Sequence, residues 1–382
     1  MADRNIPNVE AMYSPVGDVV LVDGHSIRHD LVRESDALLV RSVTKVDRAL
    51  LEKSNIRFVG TATIGTDHID LDYLRERNIA FASAPGSNAQ SVAEYVLAAL
   101  LTISERKNIA IDTLSIGIIG VGHVGTKVEH LANILKMKSV LNDPPLKRVT
   151  GDQDRYRNLD EVLEADIITL HVPLTLSGPD ATYHLVDEQF LEKIKPGTIM
   201  INASRGAVID TEVLRDFLAR KRVGSCVLDV WENEPSIDCD LLRLVDIGTP
   251  HIAGYSYDGK MNGAEMIYKS FCESFAIDGA AGYNSCFEKL EDSLIALGHP
   301  ASGLQTSLRA IVKHCYNIER DDSELREMLR LDPEARSAHF RSLRKNYPRR
   351  YEFKNWAVAN TGYAGFDYIL QQLGFTVRVA AE

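Results

Sequence analysis

The sequence predicts an α/β fold with parallel sheets, in which one doubly wound domain is inserted into another. Through the first 255 residues, short β-rich runs alternate with runs of helical period, as in parallel sheets whose strands are joined by helices. A glycine-rich turn lies near residue 120 and not at the N-terminus. We therefore expect the chain to begin one domain, pass through the second, and re-enter the first after about residue 256.

Two series of strands are expected, with a long helix between them. The first series comprises Val19–Asp23, Ala37–Arg41, Arg57–Gly60 and Ala80–Ser83. The helix runs from about Asn88 to Arg106. The second series comprises Leu114–Ile119, Ser139–Asn142, Ile167–His171, Thr198–Asn202, Ser225–Val230 and Asp246–Thr249. The chain opens on the turn-like run Met-Ala-Asp-Arg-Asn-Ile-Pro, so either the strand that normally precedes such a turn is missing or the given start lies slightly too late.

Composition excludes several classes of protein. A length of 382 residues calls for two or three domains, and 45% hydrophobic with 25% charged residues is typical of soluble proteins. No apolar run approaches the roughly 20 residues of a membrane span, and no signal peptide is expected. A net charge of −11 argues against nucleic acid as a partner. The five cysteines show no C-x-x-C pair, which favours reduced thiols in the cytoplasm over disulfides or a metal site; they are Cys226, Cys239, Cys272, Cys286 and Cys315.

A change in charge marks a separate C-terminal module. Almost all of the acidic excess lies before about Cys286, and the segment from there to the end is close to neutral. We therefore divide the chain into residues 1–90 and 257–285, residues 91–256, and residues 286–382.

The glycine-rich turn carries a dinucleotide-binding pattern. Gly120, Gly122 and Gly125 form G-x-G-x-x-G directly after an apolar strand and at the start of a helix, with His123 and Val124 in the first turn. Such a helix start offers free N–H groups and a positive dipole end to a pyrophosphate.

Asp143 indicates which dinucleotide is bound. It ends the next strand about 20 residues on, where a carboxylate would bond the ribose hydroxyls, and no arginine stands immediately beside it to receive a 2′-phosphate. We predict NAD as the cofactor. The alternative is that the glycines serve packing and that Asp143 only caps a turn.

Three residues near the ends of later strands suggest oxidation of an alcohol. Arg205, in N-A-S-R-G, can hold a carboxylate bidentately. His251, in T-P-H-I-A-G, can exchange a proton near neutral pH, and Glu234, in W-E-N-E-P, can fix its tautomer. His171 ends another strand and could compete with His251, but we interpret it as lining the cofactor side. Singly, Arg205 could be a surface ion-pair partner and Glu234 a loop acid.

These motifs resemble the D-isomer-specific 2-hydroxyacid dehydrogenase family over nearly all of residues 1–285. The resemblance implies a Rossmann-like NAD-binding domain inserted in a flavodoxin-like substrate domain. It implies that Arg205 anchors the substrate carboxylate, that Glu234 orients His251, and that His251 is the acid/base. It further implies cofactor contacts from His171, Val172, Ala203, Ser204, Arg205, Asp229 and Gly254.

Further matches, around Leu39–Val46, Val59–His68 and His251–Ser256, resemble one branch of the family that acts on a small phosphorylated hydroxy acid. They imply substrate contacts from Ser42, Thr63 and Tyr255, although Ser42 and Thr63 could equally be strand-end caps. The last hundred residues resemble the α+β dimerisation domain of that branch, which implies a homodimer.

Two matters stay open at this point. The substrate could be another 2-hydroxy acid such as 3-phosphoglycerate or glycerate, or the chain could be a non-catalytic protein that senses NAD. The basic cluster of Arg344, Lys345, Arg349 and Arg350 could send a side chain into a partner subunit's cleft to bind the substrate phosphate, or could be a solvated face.

Overall fold

A computed structural model describes residues 1–278, 288, 290–291, 293–296 and 303–378. The chain forms two units, one of residues 1–88 and 256–289 and the other of residues 89–255 and 290–382. The predicted boundary at residues 285 and 286, and with it Cys286, lies outside the described residues. The other four cysteines are free thiols.

The first unit is built on a parallel sheet of five strands in the order β2-β1-β3-β4-β5. Its elements in chain order are β1 (Ala2–Asp3), α1 (Val9–Tyr13), β2 (Leu21–Val22), α2 (His29–Val32), β3 (Ala37–Val40), α3 (Arg48–Leu51), β4 (Phe58–Thr61), α4 (Leu71–Glu76) and β5 (Ala80–Ala82). A short 3-10 turn covers Gly24–Ser26. The expectation of a missing first strand is wrong, because β1 lies between β2 and β3. Its two residues are buried but too few to show an alternating pattern.

The second unit begins with α5 (Ala89–Lys107), the long helix expected from the sequence. Fifteen of its residues, from Ala89 to Ser104, are buried. A helix that is apolar on all sides must be covered on all sides. α5 therefore serves as the central core helix of this unit, and a 3-10 turn at Ile111–Thr113 leads from it into the sheet.

All six strands expected in the second series form, and they make one parallel sheet in the order β11-β10-β9-β8-β6-β7. The elements are β6 (Ser115–Ile119), α6 (His123–Ile134), β7 (Lys138–Asn142), α7 (Pro144–Thr150), α8 (Leu159–Leu163), β8 (Ile167–Leu170), α9 (Glu188–Lys193), β9 (Ile199–Asn202), α10 (Thr211–Ala219), β10 (Ser225–Leu228), α11 (Cys239–Leu244) and β11 (Ile247–Gly248). A 3-10 turn covers Gly206–Val208. Every residue of β8, β9 and β10 is buried, as expected of inner strands covered on both faces.

The chain then returns to the first unit through α12 (Tyr257–Ser274). The C-terminal segment belongs to the second unit. Its elements are β12 (Leu294–Ile295), α13 (Leu304–Cys315), α14 (Ile318–Arg326), α15 (Pro333–Lys345), β13 (Ala357–Ala359), α16 (Ala364–Gln372) and β14 (Thr376–Arg378), with 3-10 turns at Glu327–Arg330 and Phe353–Asn355. The three strands form a small parallel sheet in the order β12-β13-β14.

A buried polar cluster joins α5 to the C-terminal segment. Glu94 is 1% exposed and accepts a 3.0 Å hydrogen bond from the Phe353 N–H at Oε1. Its Oε2 has no hydrogen-bond partner among the described residues and lies 3.8 Å from Nη2 of Arg350, while Glu352 accepts from the Ser91 hydroxyl at 2.9 Å. Burial is the main reason that the pKa of Glu94 rises to about 8.

The described residues contain neither a candidate membrane-spanning helix nor a candidate metal-binding cluster. No helix there has both the length and the apolar character needed to cross a bilayer. The same residues contain no group of three His, Cys, Asp or Glu side chains that could hold a metal ion.

Candidate active site

Three adjacent strands of the second unit end beside residues with functional side chains. Arg205 comes three residues after β9, Asp229 directly after β10, and His251 three residues after β11. Because these parallel strands are neighbours, their carboxyl ends bring the three residues to one edge of the sheet. That edge is where open α/β sheets bind ligands.

The turn that carries Arg205 is shaped by Asn202, whose role the sequence did not reveal. Asn202 Oδ1 accepts hydrogen bonds from the Ser204 N–H at 3.0 Å and from its hydroxyl at 2.8 Å. Asn202 Nδ2 donates to the Arg205 carbonyl at 2.9 Å, and Arg205 Nη1 donates to the Ser204 carbonyl at 2.8 Å. Ser204 is buried and Ala203 is half-buried. The short polar side chain therefore fixes the backbone from which the guanidinium projects.

Gly206 explains why a glycine follows Arg205. A Cβ atom at this position would lie 2.0 Å from the backbone carbon and oxygen of Trp231, far inside any real contact. The turn after β9 and the turn after β10 thus approach each other as closely as glycine allows. The close approach sets the spacing between Arg205 and the loop that carries Glu234.

His251 and Glu234 form a hydrogen-bonded pair. His251 Nδ1 lies 2.7 Å from Glu234 Oε2, and Glu234 Oε1 accepts from the Trp231 N–H at 2.9 Å. The His251 side chain is 33% exposed and that of Glu234 is 18% exposed. Since Nδ1 is occupied by the carboxylate, Nε2 is the nitrogen available to a substrate.

Glu234 is held ionised in this setting. Burial acts to raise the pKa of its carboxyl, but His251, the Trp231 N–H and Arg344 outweigh burial, and the pKa is lowered. An ionised carboxylate accepts the Nδ1 hydrogen and stabilises the imidazolium that forms when His251 takes a proton.

Asp229 positions the backbone around His251. Its buried carboxylate accepts hydrogen bonds from the Thr249 hydroxyl at 2.6 Å, the Ile252 N–H at 2.8 Å and the Ala253 N–H at 2.9 Å. Its carbonyl accepts from the His251 N–H at 2.7 Å. His251 has a φ of +59°, which non-glycine residues rarely adopt, and these bonds on both sides hold it there. The cofactor contact expected of Asp229 stays a prediction.

A second histidine–carboxylate pair involves Glu232, which lies on the same loop as Glu234, and its geometry argues for a structural role. His184 Nε2 lies 2.8 Å from Glu232 Oε1, and its Nδ1 lies 3.4 Å from Asp210 Oδ2. The other oxygen of Glu232 accepts from the Thr211 N–H at 3.0 Å. Both ring nitrogens of His184 face carboxylates, so neither is left for a substrate.

The glycine-rich turn has the shape needed for a dinucleotide. A Cβ at Gly120, which has a φ of +87°, would lie 2.5 Å from the His171 carbonyl oxygen, and a Cβ at Gly125 would lie 2.0 Å from the Gly120 oxygen. At Gly122, the N-cap of α6, a Cβ would meet no atom of the described residues within 4 Å. Two of the glycines are therefore needed for packing, and the third leaves open space at the helix start, as a bound pyrophosphate requires. His123 is exposed in this first turn and Val124 half-buried.

His171 faces the same turn and is a poor candidate for the catalytic base. Its Nε2 lies 2.9 Å from the Thr169 hydroxyl, and its Nδ1 is buried without a hydrogen-bond partner among the described residues. Burial lowers its pKa to about 3, so the ring stays neutral. A buried polar atom beside the glycine turn is consistent with the predicted cofactor contact. The next residue, Val172, is half-buried, as is Gly254 after His251.

Asp143 caps α7 and also contacts the glycine turn. Its Oδ1 accepts from the Leu146 N–H at 2.9 Å and its Oδ2 from the Val121 N–H at 2.8 Å. Each oxygen keeps a second lone pair, which is what a ribose hydroxyl would use. Arg148, the first arginine after Asp143 in the sequence, is paired with Asp180. The cap that the sequence left open as an alternative is therefore present, and it is compatible with ribose binding.

Part of the basic cluster contacts this chain's own residues. Arg350 is buried and donates to the carbonyls of Ser91 at 2.6 Å and Ala253 at 3.3 Å. The guanidinium of Arg344 lies 5.6 Å from the ring centre of Tyr255. The idea that Arg350 reaches into a partner's cleft is wrong, because its guanidinium is enclosed by its own unit. Tyr255 also packs edge-on against Tyr347 at 5.8 Å.

Ser42 and Thr63 belong to the first unit, where each follows a strand. Ser42 is exposed after β3, and Thr63, after β4, donates to the Gly65 carbonyl at 3.0 Å.

The sequence reasoning missed two cations in this unit. Arg41 contacts Asp3 at 2.8 Å, and the pKa of Lys260 is lowered to about 8 by burial and then by Arg41. The sequence could have indicated Arg41 as a candidate, because it lies next to Ser42 directly after β3.

Comparison with known proteins gives two family matches and many relatives. Residues 97–253 match the NAD-binding domain of D-isomer-specific 2-hydroxyacid dehydrogenases, and residues 293–374 match a domain of unknown function. The chain is similar to erythronate-4-phosphate dehydrogenase of Salinibacter ruber, with 44% identity over 94% of each chain. It is also similar to the enzyme of that name from Azotobacter vinelandii, with 42% identity over 95% of each chain.

Solved structures show the same fold. D-lactate dehydrogenase of Aquifex aeolicus, complexed with NAD and lactic acid, superposes with a TM-score of 0.60 at 25% identity, over 72% of this chain and 94% of that one. NAD-bound 3-phosphoglycerate dehydrogenase of Entamoeba histolytica superposes with a TM-score of 0.61 at 21% identity, over 70% of this chain and 90% of that one. The α/β architecture expected from the sequence is confirmed, and so is NAD as the cofactor.

Proposed function

Because this chain belongs to the erythronate-4-phosphate dehydrogenase family, a branch of the D-isomer-specific 2-hydroxyacid dehydrogenases, we propose that it oxidises 4-phospho-D-erythronate at C2. The product is 2-oxo-3-hydroxy-4-phosphobutanoate, and the reaction belongs to pyridoxal 5′-phosphate biosynthesis. The observation that carries the proposal is the 2.7 Å contact between His251 and Glu234 at the sheet edge that also bears Arg205. An alcohol oxidation needs this combination of a base, a group that orients it and an anchor for the acid.

Arg205 binds the substrate carboxylate. Its guanidinium presents parallel N–H donors that match the two carboxylate oxygens, so the substrate is held in one orientation. The turn built by Asn202 and Gly206 limits how far this side chain can shift. The C2 hydroxyl is thereby directed toward His251.

His251 takes the proton from the C2 hydroxyl. With Nδ1–H donated to Glu234, the neutral ring presents the lone pair of Nε2 to the substrate. Glu234 then stabilises the imidazolium, and His251 returns the proton to the ketone oxygen in the reverse direction. NAD, when bound, accepts the hydride that leaves C2.

The cofactor is held by the glycine turn and the residues around it. Gly120, Gly122 and Gly125, with His123 and Val124, cradle the pyrophosphate at the start of α6. Asp143 binds the adenosine ribose. The remaining proposed contacts come from His171, Val172, Ala203, Ser204, Arg205, Asp229 and Gly254.

The polar end of the substrate needs hydroxyl groups and positive charge. Ser42, Thr63 and Tyr255 supply neutral hydrogen bonds to its hydroxyl groups, and Arg41 and Lys260 supply charge for the phosphate. The pKa of Lys260 is lowered mainly by burial and further by repulsion from Arg41, and a bound anion would relieve that repulsion. We also propose that residues 286–382 form the contact of a homodimer and that the protein works in the cytoplasm.

One assay separates this function from its alternatives. Purified protein is mixed with NAD and, in turn, 4-phospho-D-erythronate, 3-phosphoglycerate or glycerate, and nicotinamide reduction is followed. We expect turnover of the first acid, abolished in His251→Asn with NAD affinity unchanged. Turnover of 3-phosphoglycerate or glycerate alone would reassign the substrate. Turnover of none of the three, with NAD still bound, would favour a sensor.

A further inference from the structure

We propose that Arg344, which the C-terminal segment contributes, is a positioning residue for the acid–base pair, keeping Glu234 ionised and tuning how readily His251 takes a proton. The inference rests on the proposed function only for the use of His251 as a base. It assigns part of the active site to the C-terminal segment of the same chain.

The contact is direct and involves the oxygen that faces the imidazole. Arg344 is the last residue but one of α15, and its Nη1 lies 4.0 Å from Glu234 Oε2. That oxygen is also 2.7 Å from His251 Nδ1. One carboxylate oxygen thus lies between two cationic or potentially cationic groups.

The guanidinium is held in this place. Its side chain is 26% exposed, it stacks over Tyr255 at 5.6 Å, and its Nε is buried with no hydrogen-bond partner among the described residues. Tyr255 is itself fixed edge-on by Tyr347, whose hydroxyl donates to Asp321 at 2.7 Å. Arg344 therefore cannot turn into solvent without leaving its aromatic support.

The positive charge has two effects on the pair. It opposes protonation of Glu234, which burial would otherwise favour, so the carboxylate remains an acceptor for Nδ1–H. It also lies near the same oxygen, Oε2, that faces His251. Arg344 therefore partly offsets the stabilisation that Glu234 gives to a protonated His251. Removing the charge of Arg344 should therefore make proton uptake by His251 easier.

The magnitude follows from distance. Because the two contacts share Glu234 Oε2, at 4.0 Å and 2.7 Å, Arg344 Nη1 and His251 Nδ1 are at most about 7 Å apart. At an effective dielectric constant of about 40–80, a unit charge at that distance moves a titration by about half to one pH unit. The other charged or titratable groups that share this edge are Arg205, Asp229 and Tyr255, and Arg344 also interacts with Tyr255 and Asp229.

The experiment compares charge-free and charge-retaining variants with a matched control. Arg344→Gln and Arg344→Met remove the charge, and the second keeps an apolar stem over Tyr255. Arg344→Lys keeps the charge. Arg341→Gln removes the same charge from an exposed position one turn earlier on α15. Thermal unfolding establishes that each variant is folded.

Two titrations are then measured. One is the pH dependence of kcat/KM for hydroxy-acid oxidation. The other is the pH titration of the His251 ring by NMR of NAD-free protein with labelled histidine, assigned with His251→Asn. We expect both midpoints to rise by about half to one pH unit in Arg344→Gln and Arg344→Met. Arg344→Lys should lie near the wild type, and Arg341→Gln should not differ from it.

The outcomes discriminate clearly. An unchanged His251 titration in a folded charge-free variant would overturn the proposal, and so would an equal shift in Arg341→Gln. If no acid is turned over by the wild type, the proposed function fails, while the NMR titration still tests Arg344 on its own.

Discussion

Glu234→Gln removes one negative charge from the His251 pair and leaves the shape of the side chain almost unchanged. The two side chains meet at 2.7 Å, so their charge centres lie about 4 Å apart when His251 is protonated. At an effective dielectric constant of about 20 that separation corresponds to ~4 kcal/mol. Because 33% of the His251 side chain is exposed, we reduce this value by about half for solvent screening, to ~2 kcal/mol.

A loss of ~2 kcal/mol of transition-state stabilisation lowers kcat about 30-fold. The amide can also turn its NH2 group toward Nδ1, which would select the wrong tautomer, so the full loss should lie between about 30-fold and 1,000-fold. The acidic limb of the pH profile should move to lower pH, since the imidazolium has lost its counter-charge. This direction is opposite to that expected for Arg344→Gln.

Steady-state kinetics of NAD reduction and a separate measurement of NAD affinity test the prediction. Glu232→Gln is the matched control, because it removes the same charge from a residue of the same loop that pairs with a different histidine, His184. The control should keep kcat within about twofold, as expected of a pair outside the chemistry. A loss below about threefold in Glu234→Gln, or an equal loss in the control, would refute the reasoning.

Three further predictions concern binding and stability. Gly122→Ala should weaken NAD binding at least about tenfold without lowering Tm, because its Cβ meets no atom of the described residues. Gly125→Ala should unfold the domain, because its Cβ would lie 2.0 Å from the Gly120 oxygen. Calorimetry of both variants measures NAD affinity and Tm. Arg205→Lys should raise KM and lower kcat together, by about tenfold or more in kcat/KM, because an ammonium group cannot hold a carboxylate through two parallel N–H donors. A change in KM alone, measured by steady-state kinetics, would argue against a role of Arg205 in orienting the reacting group. The pKa of Glu94 is about 8 in the folded protein, above its value of 4.5 in the unfolded chain, so the folded protein favours the protonated carboxyl. The free energy of unfolding therefore falls as the pH rises from about 4.5 through 8. Glu94→Gln should therefore raise Tm by a few degrees at pH 8.5 and hardly at all near pH 5, and an equal effect at both values would contradict the assignment.

The elements that the sequence predicted best are those with a strong local pattern. The helix α5 is a long apolar run and most strands of the second series are short ones, and the motifs of Arg205, Glu234 and His251 follow the last three of these strands. In a parallel sheet the carboxyl ends of adjacent strands share one edge, so the grouping of these residues follows from strand order alone.

Other features have no local signal. The strand β1 is only two residues long, and its pairing partners lie about 20 and 37 residues away. Arg344 reads as one cation among several on a polar helix, and its contact with Glu234 joins segments 110 residues apart. Long-range contacts of single side chains depend on how whole helices and strands pack against each other. The hydrophobic periodicity of the sequence does not predict that packing.

The rare backbone conformation of His251 has a consequence for the catalytic cycle. Asp229 holds the residues on both sides of His251 with four hydrogen bonds made entirely within the protein. The ring is therefore oriented in the free enzyme, and the entropy of ordering it is lost once, during folding, and not at each turnover. Substrate binding energy then remains available for placing the hydroxy acid. Evolution could change the substrate contacts proposed in the first unit while leaving this part of the machinery untouched.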